Sequence, residues 1–238
     1  MPRDSQPIEL LPRDSGKPMV VAIDGPAASG KSSTAQWVAE KLGFRHVDSG
    51  SLYRAATAAR LRAGDDPERW TEASVLAAAR GVALEPTERG FLPTIDGKPA
   101  DHDIRGSEVT REVSRVARMQ AVRAWVNDEV RRVAAGHDVV VDGRDIGTVV
   151  FPEADLKIFL VADPWERAQR RLVQRLQRKP TDAEIAEETE RLVLRDAKDA
   201  TQTVQARDAV LIDTTYLTQA DQVERIVALA RGVRLRGR

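Results

Sequence analysis

The sequence has no cysteine among its 238 residues, and it carries no excess charge of either sign. Without cysteine the chain can form no disulfide, no thiolate zinc site and no thiol nucleophile. Its 37 Lys and Arg residues balance its 37 Asp and Glu residues. No overall field therefore favours nucleic acid or an acidic membrane as the main partner, and any basic binding site must be local.

Long hydrophobic runs are also absent from the sequence. No apolar run approaches the roughly 20 residues needed to cross a bilayer, and the start MPRDSQPIELLPRDSGKP lacks the apolar segment of a secretory signal. We predict a soluble, cytoplasmic and monomeric protein without nucleic-acid or membrane partners. Residues 1–17, rich in Pro, Asp and Ser, are predicted to be a flexible leader, which leaves residues 18–238 as one domain.

Short apolar runs alternate with segments of helical spacing. The run at 19–24 is followed by apolar residues at helical spacing over 31–42, which Gly43 closes. Strands that are apolar throughout and alternate with helices predict a three-layer α/β fold with a five-stranded parallel sheet. The predicted strands are MVVAID, FRHVDSG, DVVVDG, LKIFLVAD and AVLIDTT.

Polar residues gather where these strands end. On parallel sheets, ligands lie beyond the carboxyl ends of the strands. The sequence therefore predicts that the chemistry lies along one rim of the sheet, where five strand-end carboxylates meet: Asp24, Asp48, Asp142, Asp163 and Asp213.

Residues 64–105 differ in character from the rest of the chain. Four prolines interrupt them, and the alternating stretches GVALEP and FLPTIDG predict hairpins, so we expect a small inserted subdomain. Helical periodicity returns over 107–135, where regularly spaced valines predict a buried stripe. A long, charged helical region follows over about 164–198.

Residues 25–32, GPAASGKS, match the phosphate-loop pattern G-x-x-x-x-G-K-[ST] between a buried strand and a helix. Glycines let successive backbone N–H groups point at one anion, and the helix N-terminus adds positive charge. A glycine turn without chemical consequence is the alternative. The pattern does not name the phosphate acceptor, because GTP switches, kinases and motor domains share it. The predicted ATP-binding residues are Gly25, Pro26, Ala27, Ala28, Ser29, Gly30, Lys31, Ser32 and Ser33.

Two oxygen-bearing side chains are candidates for holding Mg²⁺, which we expect as Mg-ATP. The Ser32 hydroxyl is a hard oxygen ligand next to the phosphates. Asp142, at a strand end, either holds a magnesium-bound water or caps the next turn.

The segments DSGSLYR, VDGRDIGTVVFP and RDAKD, together with the phosphate loop, resemble the bacterial cytidylate kinases from about residue 19 to the C-terminus. The stretch DGRDIGTVVFPEADLKIFL is the most specific part of this resemblance. The resemblance implies a P-loop kinase that moves the γ-phosphoryl group of ATP to CMP or dCMP. It also implies that 64–105 is a monophosphate-binding subdomain and 164–198 a lid.

The resemblance implies a set of acceptor residues. Arg54 and Arg144, with Ser49 beside them, would hold the CMP phosphate, since guanidinium forks match phosphate oxygens; surface salt bridges are the alternative. Asp145, Arg123 and Ser114 would contact cytosine, although Ser114 could equally cap or back-bond a helix. Arg195 and Asp199 would contact the pentose, or form only an intrahelical ion pair.

One position departs from the family pattern. Gln202 stands near the place where family members carry a further arginine for the acceptor phosphate, and the connection after it is shortened. A neutral amide cannot replace a phosphate-binding cation. Either Arg54 and Arg144 suffice, or Lys198 or Arg207 takes over.

Arginines open the charged helix after Asp163. Arg167 and Arg171 share a helix face with one another, and they either close on ATP as arginine fingers or belong to a solvated basic face. With Lys31 and Arg144 they form the predicted catalytic set. None of the three histidines lies in a phosphate motif, so we expect no catalytic base among them. Two rivals remain: another small P-loop kinase, acting for example on shikimate, and a nucleotide-dependent switch.

Overall fold

A computed structural model describes residues 17–236 of the protein. The predicted leader lies outside the described residues except for Lys17. The main sheet has five parallel strands in the order β2-β6-β1-β7-β8, so the predicted α/β fold with a five-stranded parallel sheet is confirmed. Its strands are β1 (Val20–Asp24), β2 (Arg45–Asp48), β6 (Val139–Asp142), β7 (Leu156–Val161) and β8 (Val210–Asp213).

Helices cover both faces of this sheet and make the three layers. Val21 and Ile23 of β1 point to one face, where the first and last helices pack, while Ala22 points to the other. The valine stripe predicted over 107–135 is buried, as expected. The helices are α1 (Lys31–Leu42), α2 (Ser49–Leu61), α3 (Glu72–Ala78), α4 (Ser107–Val116), α5 (Gln120–Ala134), α6 (Pro164–Leu176), α7 (Asp182–Asp199) and α8 (Gln219–Arg236).

A second, antiparallel sheet lies within the insertion. It consists of β3 (Val82–Pro86), β4 (Phe91–Ile95) and β5 (Lys98–Pro99), and it contains both predicted hairpin stretches. The His46 backbone N–H donates to the Arg89 carbonyl at 3.2 Å, so the turn between β3 and β4 is joined to the outer edge of β2.

The charged region after β7 is two helices and not one. Gln177 adopts a left-handed conformation (φ 54°) that ends α6, and Thr181 begins α7 with a capping box to Glu184. The two helices share a small apolar cluster that includes Ala27 of the phosphate loop. The helical pair is therefore packed against that loop.

No helix within residues 17–236 has both the length and the apolar character that a bilayer crossing requires.

Candidate active site

Three carboxylates stand side by side at the carboxyl ends of β2, β6 and β1. Asp48 and Asp142 are directly paired in register, and Asp142 is paired with Ile23, the neighbour of Asp24. Burial raises the pKa of Asp48 to about 6, and the charge of Asp142 adds to that effect. This rim is the place where the sequence predicted the chemistry.

The phosphate loop begins at this rim, and its backbone adopts dihedral angles that few residue types allow. Gly25 has φ 147°, and a Cβ there would lie 2.2 Å from the Leu160 carbonyl oxygen. Ala28 and Gly30 are both left-handed, with φ 58° and 87°, and Gly30 precedes the first turn of α1. Such a curl directs consecutive N–H groups into one concavity, which suits an anion.

The Lys31 side chain contacts the loop that precedes it. Its Nζ donates to the Pro26 carbonyl at 2.6 Å, and Ser33 Oγ donates to the Gly30 carbonyl at 3.0 Å. Burial lowers the pKa of the Lys31 ammonium to about 7, and the nearby Arg144 lowers it further. The carboxylates of the protein therefore do not fully compensate the positive charge of Lys31. A bound polyphosphate would supply the missing negative charge.

Ser32 and Asp142 come together as the magnesium hypothesis requires. Ser32 Oγ donates to Asp142 Oδ2 at 2.6 Å, so the carboxylate is directed at the phosphate loop and not at the turn after its strand. A hydroxyl and a carboxylate are hard oxygen donors that fit Mg²⁺. Residues 17–236 contain no group of three or more His, Cys, Asp or Glu side chains able to hold a metal. An ion here would therefore take its other ligands from phosphate and water, as Mg²⁺ commonly does.

His46 is a neighbour of this pair that the sequence did not indicate. Its Nε2 lies 2.7 Å from Asp142 Oδ1. Burial alone would lower the pKa of His46, but the carboxylates of Asp142 and Asp48 outweigh burial and raise it. The contact follows from the register of β2 against β6, which no local motif reveals.

The predicted acceptor arginines contact the phosphate loop, α7 and α4. Arg144 donates from Nη1 to the Gly25 carbonyl at 3.4 Å, and its Nη2 lies 3.0 Å from Asp199 Oδ2. Asp199 Oδ2 also lies 3.6 Å from Arg195 Nε. The predicted intrahelical ion pair is therefore present, and its carboxylate is shared with Arg144. Arg54 donates to the Ile104 carbonyl and to Thr110 at 3.2 and 3.3 Å.

Two of these arginines have a lowered pKa. Burial lowers the pKa of Arg54 to about 10, and the charge of Arg195 is the next cause. Burial and then the charge of Arg144 lower the pKa of Arg195, while Asp199 offsets part of that effect. Lys31, Arg195 and Arg54 are thus each repelled by a neighbouring cation, a typical feature of a polyanion site.

A cavity of about 520 Å³ is lined by the predicted base-reading pair, Asp145 and Arg123. Asp145 accepts a hydrogen bond from Arg123 Nη2. Burial raises the pKa of Asp145, and the Arg123 guanidinium opposes that rise. The residues that line the cavity are Arg118, Gln120, Arg123, Asp145, Thr148, Val149, Thr201, Gln202 and Val204.

Two predicted serines lie outside that cavity lining. Ser49 is buried and donates from Oγ to the Asp142 carbonyl at 2.8 Å, so it ties α2 to β6. Ser114, on α4, is half-buried and makes no side-chain hydrogen bond to any residue between 17 and 236. Neither hydroxyl touches the Asp145–Arg123 pair.

The sequence also did not indicate the structural contacts of Asp24. Its two carboxylate oxygens accept from the backbone N–H groups of Ile146 and Gly147, each at 2.8 Å. Burial raises the pKa of Asp24 to about 6 despite these two bonds. Asp24 therefore joins the start of the phosphate loop to the segment that carries Arg144 and Asp145.

The arginines in the first half of α6 are bound to the protein in different ways. Arg167 is buried, donates to the Ala27 carbonyl at 2.9 Å and pairs with Asp196 at 2.7 Å, so it is not part of a solvated basic face. Arg170 donates to the Thr214 and Thr215 carbonyls. Arg171 pairs with the buried Glu188 at 3.0 Å.

Comparison with known proteins gives one family. The cytidylate kinase family model matches residues 21–232. The cytidylate kinase of Limosilactobacillus reuteri (strain DSM 20016) is 40% identical over 214 residues, covering 88% of this chain and 94% of that protein. The cytidylate kinase of Alkaliphilus oremlandii (strain OhILAs) is 40% identical over 217 residues, covering 90% and 98%. By this match over nearly its whole length, the chain belongs to the cytidylate kinase family.

Proposed function

We propose that the protein transfers the γ-phosphoryl group of ATP to CMP or dCMP, giving ADP and CDP or dCDP. The observation that carries this proposal is the position of Arg144 between the phosphate loop and the base cavity. Its Nη1 donates to the Gly25 carbonyl of the loop, and the next residue, Asp145, lines the cavity together with Arg123. Two anionic substrates could therefore meet end to end along one rim of the sheet.

On the donor side, residues 25–33 hold ATP. Backbone N–H groups of the curled loop surround the β-phosphate, and Lys31 leaves the Pro26 carbonyl to reach the β- and γ-phosphates. Ser32, and Asp142 through a bound water, would hold Mg²⁺, which would neutralise part of the charge on these phosphates. Arg167 positions the loop through the Ala27 carbonyl, and Arg171 is the lid cation that can turn from Glu188 towards the γ-phosphate.

On the acceptor side, Arg54 and Arg144 bind the CMP phosphate, and Arg195 with Asp199 contacts the pentose. In the base cavity the Asp145 carboxylate accepts from the cytosine N4 amine, and Arg123 donates to N3 and O2. Uracil presents a carbonyl where cytosine has the amine, so its oxygen would face the Asp145 carboxylate. Of the two predicted serines, Ser114 is proposed as a hydroxyl donor to the nucleotide, whereas the Ser49 hydroxyl donates to the Asp142 carbonyl in the free protein.

Transfer needs no catalytic base. The attacking oxygen of the CMP phosphate is already anionic, and it forms a bond to the γ-phosphorus while the bond from that phosphorus to the bridging oxygen of ADP breaks. Positioning and charge neutralisation by Lys31, Arg144 and the lid carry the rate. We further propose that 64–105 closes over CMP and 164–198 over ATP, which would keep water from the γ-phosphate. One chain supplies every site residue, so a monomer suffices, and the proposed location is the cytoplasm.

A coupled assay of ADP formation with separate acceptors tests the proposal. We expect rapid turnover with CMP and dCMP, and much slower turnover with UMP, AMP, GMP and shikimate. Turnover that is slow and independent of any acceptor would instead identify a nucleotide-dependent switch. Preference for another acceptor would identify a different small kinase.

Nucleotide binding is expected to take up a proton. The Lys31 ammonium has a pKa of about 7 in the free protein, so it is largely neutral at about pH 8.5, where bound phosphates should protonate it again. The affinity for a non-hydrolysable ATP analogue should therefore fall as the pH rises above about 7. Calorimetry in two buffers of different ionisation enthalpy measures the uptake, which should approach about one proton at that pH.

The matched variant for this measurement is Lys31→Arg. A guanidinium stays charged throughout the range, so the uptake should disappear while a cation remains in the loop. If the wild-type protein binds the analogue without taking up a proton, the lowered pKa of Lys31 is not a property of the free protein.

A further inference from the structure

Gln202 lies at the base cavity, where it contacts Arg123. Its side chain is half-buried and lines the cavity with Asp145 and Arg123. Its Oε1 accepts a hydrogen bond from Arg123 Nη1 at 3.2 Å, although 79 residues separate the two in sequence. The neutral amide is therefore paired with the cation that faces the base.

Helix α7 explains how Gln202 reaches this place. The Gln202 and Thr203 backbone N–H groups donate to the Asp199 carbonyl at 2.9 and 3.0 Å, so helical bonding continues past the last residue of the helix. Residues 195, 199 and 202 consequently follow one another at spacings of four and three along one helix face. On that face Asp199 pairs with both Arg195 and Arg144, and Gln202, one turn further on, accepts a hydrogen bond from Arg123.

Arg123 is held from three directions. Its Nη2 donates to Asp145, while its Nη1 donates to Gln202 and to the Ala117 carbonyl at 3.1 Å. A guanidinium fixed in this way keeps its orientation when a base enters. A cation at position 202 would instead lie within hydrogen-bond distance of another cation, which is repulsive.

We propose that Gln202 is a specificity-determining residue of the acceptor site, which positions Arg123 for cytosine. The inference rests on the proposed function, since it assigns the base that the cavity reads. Cytosine offers lone pairs at N3 and O2 to a fixed guanidinium, whereas uracil carries a hydrogen on N3 that faces the same donors. An Arg123 that cannot swing aside therefore rejects uracil. Without Gln202 the guanidinium gains freedom, and that rejection weakens.

Three substitutions at position 202 separate this role from a phosphate-binding one. Gln202→Met keeps the length and removes the acceptor, so KM for CMP should rise about tenfold, the size expected for a lost hydrogen bond to a charged group. The ratio of kcat/KM for CMP to that for UMP should fall with it. Gln202→Glu restores an oxygen acceptor and should return the ratio to within about twofold of the wild type. Gln202→Arg should raise KM for CMP by about tenfold or more, because it places like charges together.

Gln205 provides the control, because it is an exposed glutamine three residues further along the same loop. Gln205→Met and Gln205→Arg should leave KM for both nucleotides unchanged, and all variants at 202 should keep the wild-type KM for ATP. A lower KM for CMP in Gln202→Arg would overturn the proposal and assign position 202 to the acceptor phosphate. An unchanged CMP to UMP ratio in Gln202→Met would also overturn it. Failure of the wild-type enzyme to use CMP at all would contradict the proposed function instead.

Discussion

Phosphoryl transfer is expected to disappear in the variant Lys31→Ala, whichever acceptor is offered. The ammonium is the point charge of the phosphate loop, and it donates to the Pro26 carbonyl within that loop. Removing a preorganised positive group from developing phosphate charge costs about 10³-fold in kcat. Steady-state assays with saturating ATP and CMP measure this loss.

The control for this variant is Lys41→Ala, in the last turn of the same helix. Lys41 is exposed and, among residues 17–236, pairs with Glu224 at the surface, so kcat should be unchanged. Normal turnover in Lys31→Ala would overturn the assignment of residues 25–32 as the ATP-binding loop. A loss of turnover accompanied by an altered thermal unfolding profile would not test it, so both variants are compared by calorimetry first.

The second large effect is expected for Asp145→Asn. The carboxylate has two oxygens, one for Arg123 and one for the cytosine amine, whereas an asparagine has a single carbonyl oxygen for both. Since buried polar groups left without partners cost most, kcat/KM for CMP should fall by about 10²- to 10³-fold. Steady-state kinetics with varied CMP and varied ATP separates the two substrates.

In Asp145→Asn, KM for ATP should stay near its wild-type value. The value of kcat/KM for UMP should fall much less than that for CMP. Asp128→Asn is the matched control, because Asp128 is exposed on α5 and pairs with Arg131 within one turn. Equal decreases in kcat/KM for CMP and for ATP would show that Asp145 does not read the base and is only a structural partner of Arg123.

The sequence predicted β1, β6 and β8 well because each is short, apolar and ended by an aspartate. β6, for example, is buried along its whole length, and its only polar residue is the one that ends it. The phosphate loop was equally readable, since its glycines are required by a local backbone shape at Gly25 and Gly30. Local patterns of this kind carry their structural meaning within a few residues.

Contacts between residues far apart in the sequence could not be predicted from local patterns. His46 reaches Asp142 through the register of two strands, and Asp24 reaches Gly147 across 123 positions. The break between α6 and α7 depends on a left-handed Gln177, a conformation that a glutamine seldom adopts. Gln202 is the sharpest case, because the resemblance places it near the phosphate and the fold places it at the base cavity.

A crystal structure with a non-hydrolysable ATP analogue and CMP bound together tests the central claim most directly. It should show the γ-phosphate beside Lys31, the CMP phosphate between Arg54 and Arg144, and the cytosine amine within hydrogen-bond distance of Asp145. The account is contradicted if CMP binds elsewhere, or if those three acceptor residues face away from the space opposite Lys31.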